Sequence, residues 1–459
     1  MFLWIGWIFV WTGLGAMSAY SAPVTILVTS DTQALLEPCG CAENIEGGLE
    51  ARAGYFERSR NESPDAIRVD LGRFFPPRKQ DKKPAYLLPN EDQVNRAVGL
   101  LNLEAMRRLS YHAILPGPLD LEYLDEEARQ ALSADSTHNP QPSFVATNVV
   151  DVKTGQPVLP VSIIQSTPNG TLAFVGACSL QEGPAAHGAG RVEKTREMIT
   201  KTIEPLRQDP AVDAVVLLAH EPPMAVRKWL ADYSGPRIDL VIALDAGLAV
   251  EKTGETYITN APAKGRAVGK IVAEVEKGKG IVTVTFERIS LDPAVYSHPA
   301  TREFLTQAYA SQVKALGLAL PGPPVLMDLR EEKESVGYAG AEACAECHQT
   351  QYDQWKSTPH AKAFWPLLDQ NRHWIPYCVQ CHVTGMNQSG GFRAYPASVK
   401  MMHVQCETCH GPGQSHIDEF GTGPIRRGEA KAVCIQCHDA KNSPQFEETF
   451  DLYFDQIKH

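Results

Sequence analysis

The chain has 459 residues, room for two or three domains and at least one large core. Hydrophobic residues at 43% and charged residues at 21% exclude wholesale disorder, a collagen-like fibre and a multi-span membrane protein. Its 43 Lys and Arg face 54 Asp and Glu, and the net charge of −11 excludes a nucleic-acid binder, which needs basic surface against phosphates.

Residues 1–22, MFLWIGWIFVWTGLGAMSAYSA, form an apolar run ending in small residues, which predicts a secretory signal peptide or an N-terminal anchor. Strand-like runs follow: VTILVTS from Val24, AIRVDLG from Ala66, HAILPG from His112, TLAFVGA from Thr171, DAVVLLAH from Asp213 and RIDLVIALD from Arg237. Amphipathic helical stretches, such as Asn90 to Leu109 and Arg191 to Leu206, lie between them, and the alternation predicts an α/β layered domain over residues 23–293. Period-2 runs flank Lys277-Gly278-Lys279-Gly280 and predict a closing hairpin. A helix from Thr301 to Leu320, Pro-Gly-Pro-Pro at 321–324 and the charged DLREEKES from Asp328 then make residues 294–335 a helical linker.

Eight of the eleven cysteines follow position 343, all in C-x-x-C-H. The four copies are Cys344-Ala-Glu-Cys347-His348, Cys378-Val-Gln-Cys381-His382, Cys406-Glu-Thr-Cys409-His410 and Cys434-Ile-Gln-Cys437-His438. Two cysteines three positions apart reach both vinyl groups of one haem to form thioethers, and the adjacent His presents its imidazole to the iron. Zinc knuckles would not explain a His after every second cysteine. Residues 336–459 are therefore predicted to carry four covalently attached haem c groups. So little polypeptide builds no ordinary core, and the porphyrins must form it. This segment holds 10 basic against 13 acidic residues, an acidic balance that gives only weak support to steering toward a basic redox partner.

Each iron wants a sixth ligand, and the spare histidines after position 340 are His360, His373, His403, His416 and His459. Here the chain resembles the tetrahaem cytochrome c family of the cytochrome c-554 type, through CAECHQTQYDQWKSTPHAKAF from Cys344, CVQCHVTG with Gly-Gly-Phe beyond it, and VQCETCHGPG running to His416. The resemblance implies distal ligands at His360, in the S/T-x-H-A segment, and at His416, after C-H-G-P-G. The tail SPQFEETFDLYFDQIKH resembles multihaem relatives in which the closing Lys-His supplies a third, here His459. It also implies that the second haem, at His382, is five-coordinate. His403 departs from the family, which has a small residue there, so His403 or His373, or more weakly Met386, Met401 or Met402, could close that iron.

The N-terminal region resembles the metallophosphoesterase domain of the 5′-nucleotidase family in the order of its motifs: SDTQALLEP from Ser30, GGLEARA from Gly47, VDLGR from Val69, SYHAILPGPLD from Ser110, ATNVVD from Ala146, VVLLAH from Val215, IDLVIALDAG from Ile238 and GRAVGKI from Gly265. The implied fold is a four-layer α/β sandwich, joined to a mostly helical, loop-rich haem module. Of the positions that hold the family's two metals, Asp31 and His220 match. Gln33 stands at a His position, Arg73 at the bridging Asp, Pro118 and Leu119 at Asn-His, and Asp245 and Gly247 at the final His-x-His. Two donors beside a cation cannot hold two divalent ions, so the domain is expected to be catalytically inactive. Cys39, Cys41 and Cys178 could converge on the cleft, as a disulfide or as a thiolate site.

The expected function is electron transfer outside the cytoplasm, with redox partner proteins such as other cytochromes or a quinone-linked oxidoreductase, no nucleic acid, and membrane contact only through a retained N-terminal anchor. Two alternatives stand beside it: an oxidoreductase acting on a small nitrogen or sulfur compound at an open haem iron, and a metal-dependent phosphoesterase.

Overall fold

The computed structural model describes residues 23–38, 46–76, 91–124, 143–180, 185–187, 190–192, 195–247, 249–315, 337–369, 373, 376–386, 388, 390–393, 395, 398–426, 430–438, 443 and 445–459. The apolar run at 1–22, Cys39 and Cys41, and the linker's Pro-Gly-Pro-Pro lie outside them. No helix among the described residues is long and apolar enough to cross a membrane.

In chain order the strands are β1 (Val24–Thr29), β2 (Ile67–Asp70), β3 (Ala113–Ile114), β4 (Ser143–Phe144), β5 (Val149–Asp151), β6 (Ser162–Thr167), β7 (Gly170–Ala177), β8 (Ala185–His187), β9 (Gly190–Val192), β10 (Ala214–Ala219), β11 (Leu240–Leu244), β12 (Val250–Thr253), β13 (Thr256–Ala261), β14 (Ala267–Glu276) and β15 (Gly280–Ser290). One six-stranded sheet runs β15-β14-β1-β2-β3-β4, a second runs β12-β13-β11-β10-β7-β6, and β5-β9-β8 form a small third sheet. Both large sheets have a parallel centre; antiparallel strands stand at one edge of the first, β14 and β15, and at both edges of the second, β12 and β6. The strands read as unbroken apolar runs because both faces are covered. In β1, Val24, Ile26 and Val28 point into the core between the sheets, while Leu27 points outward to a second core under helices.

Helices Leu49–Ser59 and Glu91–Arg108 cover the first sheet, and Thr195–Gln208 and Pro223–Ala231 cover the second through Ile199, Ile203, Val226 and Trp229. The result is the expected four-layer α/β sandwich. The helix expected from Arg191 starts at Thr195, because Gly190–Val192 pair with β5 and β8 instead. The hairpin forms as expected, β14 antiparallel to β15 around Lys277–Lys279. Helix Pro299–Ala315 packs on this domain: Leu305 is buried in the second core, and Arg302 bridges Glu37 and Glu50 at 2.9 and 2.7 Å.

Beyond residue 337 the chain is helical with few β-contacts. A small core of Phe364, Leu367, Val379, Val383, Phe392, Met401 and Met402 is its apolar centre. Helices Gln349–Ser357, Gln414–Asp418 and Phe450–Phe454 bury no side chain.

Candidate functional site

The third C-x-x-C-H motif is the helix Cys406–His410, and its neighbours knit the C-terminal part together. Glu407, only 2% exposed, accepts the backbone N–H groups of Ala339, Gly340 and Gly413 at 2.8, 2.7 and 2.7 Å. The buried Gln405 accepts the amide of Ala341 and donates to the carbonyls of Lys400 and Met402. These contacts lay the first motif beside the third, with Cys344 next to Cys406. Cys409 in turn lies near Cys434 and Cys437 of the fourth motif. Sequence reasoning missed Gln405 and Glu407, because neither the position before a C-x-x-C-H nor the two between its cysteines carry a signal of their own.

The histidines come together in pairs. The rings of His348 and His416 are 6.5 Å apart, centroid to centroid, and nearly parallel at 18°. His360 and His438 are 6.1 Å apart at 54°, and His410 and His459 are 5.7 Å apart at 48°. Two imidazoles on opposite sides of one metal, each bonded at about 2 Å, place their centroids about 6 Å apart. All three separations fit a shared iron. The second ring nitrogens fit as well: Nδ1 of His410 donates to the carbonyl of Arg426 and Nδ1 of His416 to that of Gly423, both at 3.0 Å, while Nδ1 of His438 meets Ser443 Oγ at 3.1 Å. Such a bond fixes the tautomer that leaves Nε2 free to ligate. Every expected distal histidine is thus opposite a motif histidine: His416 across from the first, His459 from the third and His360 from the fourth.

His382 of the second motif is placed differently. Its Nδ1 donates to the carbonyl of Ala363, and among the described residues no second imidazole faces its ring. His403 lies close in backbone terms, its amide bonding the His382 carbonyl at 3.0 Å, but its ring packs edge-on against Trp365. His403 Nδ1 accepts the N–H of Phe364 at 3.1 Å, so the neutral ring carries its proton on Nε2 and has no lone pair left for a metal. His373 packs against Tyr395. Met401 and Met402 are buried in the small apolar core.

Asp31, Arg73 and His220 follow the C-terminal ends of β1, β2 and β10, the end at which open α/β sheets place ligands. His220 follows β10 and donates from Nδ1 to the carbonyl of Leu71 at 2.7 Å. Its ring fits only because Gly117 lacks a side chain: a Cβ there would come within 2.6 Å of the ring. Burial drives the His220 pKa down to about 4. Asp31 contacts Arg73 at 3.3 Å and accepts from Gln33 at 3.0 Å. Asp31, Gln33, Ala34 and Arg73 all hold left-handed backbone, with φ of 46°, 48°, 50° and 54°. Asp120 is spent on the amides of Arg73, Phe75 and Gly117, and Asp245 accepts the amides of Gly247 and Ala263 and contacts Arg288. Among the described residues no group of three or more His, Cys, Asp or Glu is arranged to hold a metal ion. Cys178 is a free thiol, fully buried between the sheets, where burial pushes its pKa far up. The residue follows the end of β7, and the two thiols expected beside it, Cys39 and Cys41, lie outside the described residues.

Residues 343–411 match the cytochrome c554 and c-prime family. Cytochrome c-554 of Nitrosomonas europaea is 34% identical over 93 residues, 17% of this chain and 40% of that protein. The fold resembles Thermus thermophilus sulfate thiohydrolase SoxB, with a TM-score of 0.51 at 16% identity over 65% of this chain and 62% of that one. It also resembles a 5′-nucleotidase precursor from Thermus thermophilus, with a TM-score of 0.52 at 16% identity over 64% of this chain and 59% of that one. The chain therefore spans well under half of the curated cytochrome and about six-tenths of each solved structure. It carries a C-terminal c-type cytochrome domain of the cytochrome c554 and c-prime kind, with covalently bound haem c, behind an N-terminal part with the 5′-nucleotidase metallophosphoesterase fold.

Proposed function

We propose that this protein is an exported tetrahaem cytochrome that passes electrons between redox proteins in the periplasm or another extracytoplasmic space. Cys344 and Cys347, Cys378 and Cys381, Cys406 and Cys409, and Cys434 and Cys437 would attach one haem each, with His348, His382, His410 and His438 as proximal ligands. The observation that carries this reading is the set of three imidazole pairs near 6 Å, which puts His416, His459 and His360 opposite the first, third and fourth motif histidines. Each bound haem supplies a one-electron Fe(III)/Fe(II) couple. The protein's part is to hold both imidazoles in place, so that little rearranges when the charge changes. Partners are other cytochromes or a quinone-linked oxidoreductase.

In this reading the sandwich domain is a scaffold that orients the haem module or docks a partner. The Arg73–Asp31 contact supports it, since a guanidinium beside the remaining carboxylate competes with any cation for it. A second reading rests on His382, which faces no second imidazole among the described residues: its haem would be five-coordinate and could act on a small nitrogen or sulfur compound. Mass spectrometry of the mature protein should show four haem additions, and low-temperature EPR of the oxidised protein three low-spin irons and one high-spin iron. Two or fewer additions in a matured sample would sink the tetrahaem reading. Four low-spin irons would remove the open site.

A further inference from the structure

The peptide unit between Ala363 and Phe364 lies between two imidazoles. Its carbonyl takes the Nδ1 proton of His382, and its N–H is taken by Nδ1 of His403 at 3.1 Å. Both directions are forced, because a carbonyl only accepts and an amide N–H only donates. His403 is itself pinned to the second motif: its amide bonds the His382 carbonyl, its own carbonyl accepts Thr384 Oγ at 2.8 Å, and Val383 pairs with Met402 beside it. It holds this place with φ of 73°, a left-handed conformation that costs a non-glycine residue free energy. Glycine would adopt that backbone without strain, so the side chain is what the strain supports.

We propose that His403 is a positioning residue for the second haem site, holding the Ala363–Phe364 peptide so that its carbonyl binds the His382 Nδ1–H firmly. The inference rests on reading His382 as a haem ligand. An amide whose N–H is engaged is polarised and becomes a better acceptor at its oxygen. The His382 ring, held through that proton, gains anionic character and becomes a stronger donor to iron, which favours the ferric state. His403 thereby lowers the potential of one haem without touching its iron.

The test uses the full chain with its haems and two variants. His403→Gly relaxes the backbone but removes the acceptor, whereas His403→Asn tolerates positive φ and places Oδ1 where Nδ1 was. The readouts are the iron–histidine stretching band of the reduced five-coordinate haem and the midpoint potential of that haem. His403→Gly should lower the band frequency, raise that potential and leave the other three potentials in place; His403→Asn should restore band and potential. Unchanged band and potential in His403→Gly with four haems bound overturns the proposal, as does an Asn variant that restores neither. A low-spin iron at His382 that turns high-spin in His403→Gly would make His403 a ligand and also overturns it. Peptide mapping that finds no haem on Cys378 and Cys381 overturns the tetrahaem reading, and this inference with it.

Discussion

The imidazoles of His360 and His438 face each other at 6.1 Å, although one lies just after the first C-x-x-C-H motif and the other closes the fourth. Their planes are turned by 54°, whereas those of His348 and His416 are turned by only 18°. Near-parallel imidazoles split two iron d orbitals strongly, and rotation toward perpendicular brings those orbitals together. Removal of His416 should therefore abolish the most rhombic low-spin EPR signal, while removal of His360 or His459 should each abolish one with a larger maximal g value. In each alanine variant one iron should turn high-spin and its potential rise, because a strong nitrogen donor is lost. Wild-type spectra in all three variants would refute the pairing.

Glu407 provides a stability test away from the ligands. Its carboxylate is the acceptor for three amides in a buried setting, and Glu407→Ala leaves them without it. With about 1–3 kcal/mol for each unsatisfied buried group, the loss should be about 3 kcal/mol or more. Glu407→Gln, which keeps one acceptor oxygen, should lose less. Urea midpoints followed by haem absorbance measure both, and an unchanged midpoint in the alanine variant would refute the role.

The His220 imidazole, held neutral to about pH 4 by burial, has a defined pH signature. Its folded pKa is below the unfolded one, so its contribution is fully present above about pH 6.5 and is lost as pH falls toward 4. The shift corresponds to roughly 3 kcal/mol. Asp70 and Asp120, raised by burial to about 7, act in the opposite direction but are common to both proteins compared. His220→Asn keeps a donor for the Leu71 carbonyl, and between pH 7 and 4 it should lose less stability than the parent by about that amount. Equal acid sensitivity in urea titrations of the two proteins would contradict this.

Hydrolysis is tested directly. With added manganese, the purified protein should turn over neither nucleotides nor aryl phosphates, and Asp31→Ala should leave electron transfer rates intact. Manganese-dependent turnover that disappears in Asp31→Ala would restore the hydrolase alternative.

Covalent haem attachment was legible from the sequence because it is local: two cysteines and a histidine at fixed spacing suffice whatever the rest of the chain does. The sandwich was legible too, since strands covered on both faces betray themselves as apolar runs such as Val215 to Ala219. Gln33 and Arg73 stood out in the sequence at positions where the resembled family has metal ligands, although that Arg73 reaches Asp31 did not. Which motif histidine each spare histidine faces was beyond linear reading, as were the burial of Cys178 and the hydrogen bond from Phe364 that occupies His403 Nδ1. Those outcomes depend on how distant segments cross: Glu407 and Gln405 lay the first motif against the third, the Lys458 carbonyl is held by Gln354, and the tail thereby carries His459 to His410. A distal ligand is chosen by position in space within about 6 Å. Chain order carries no record of it.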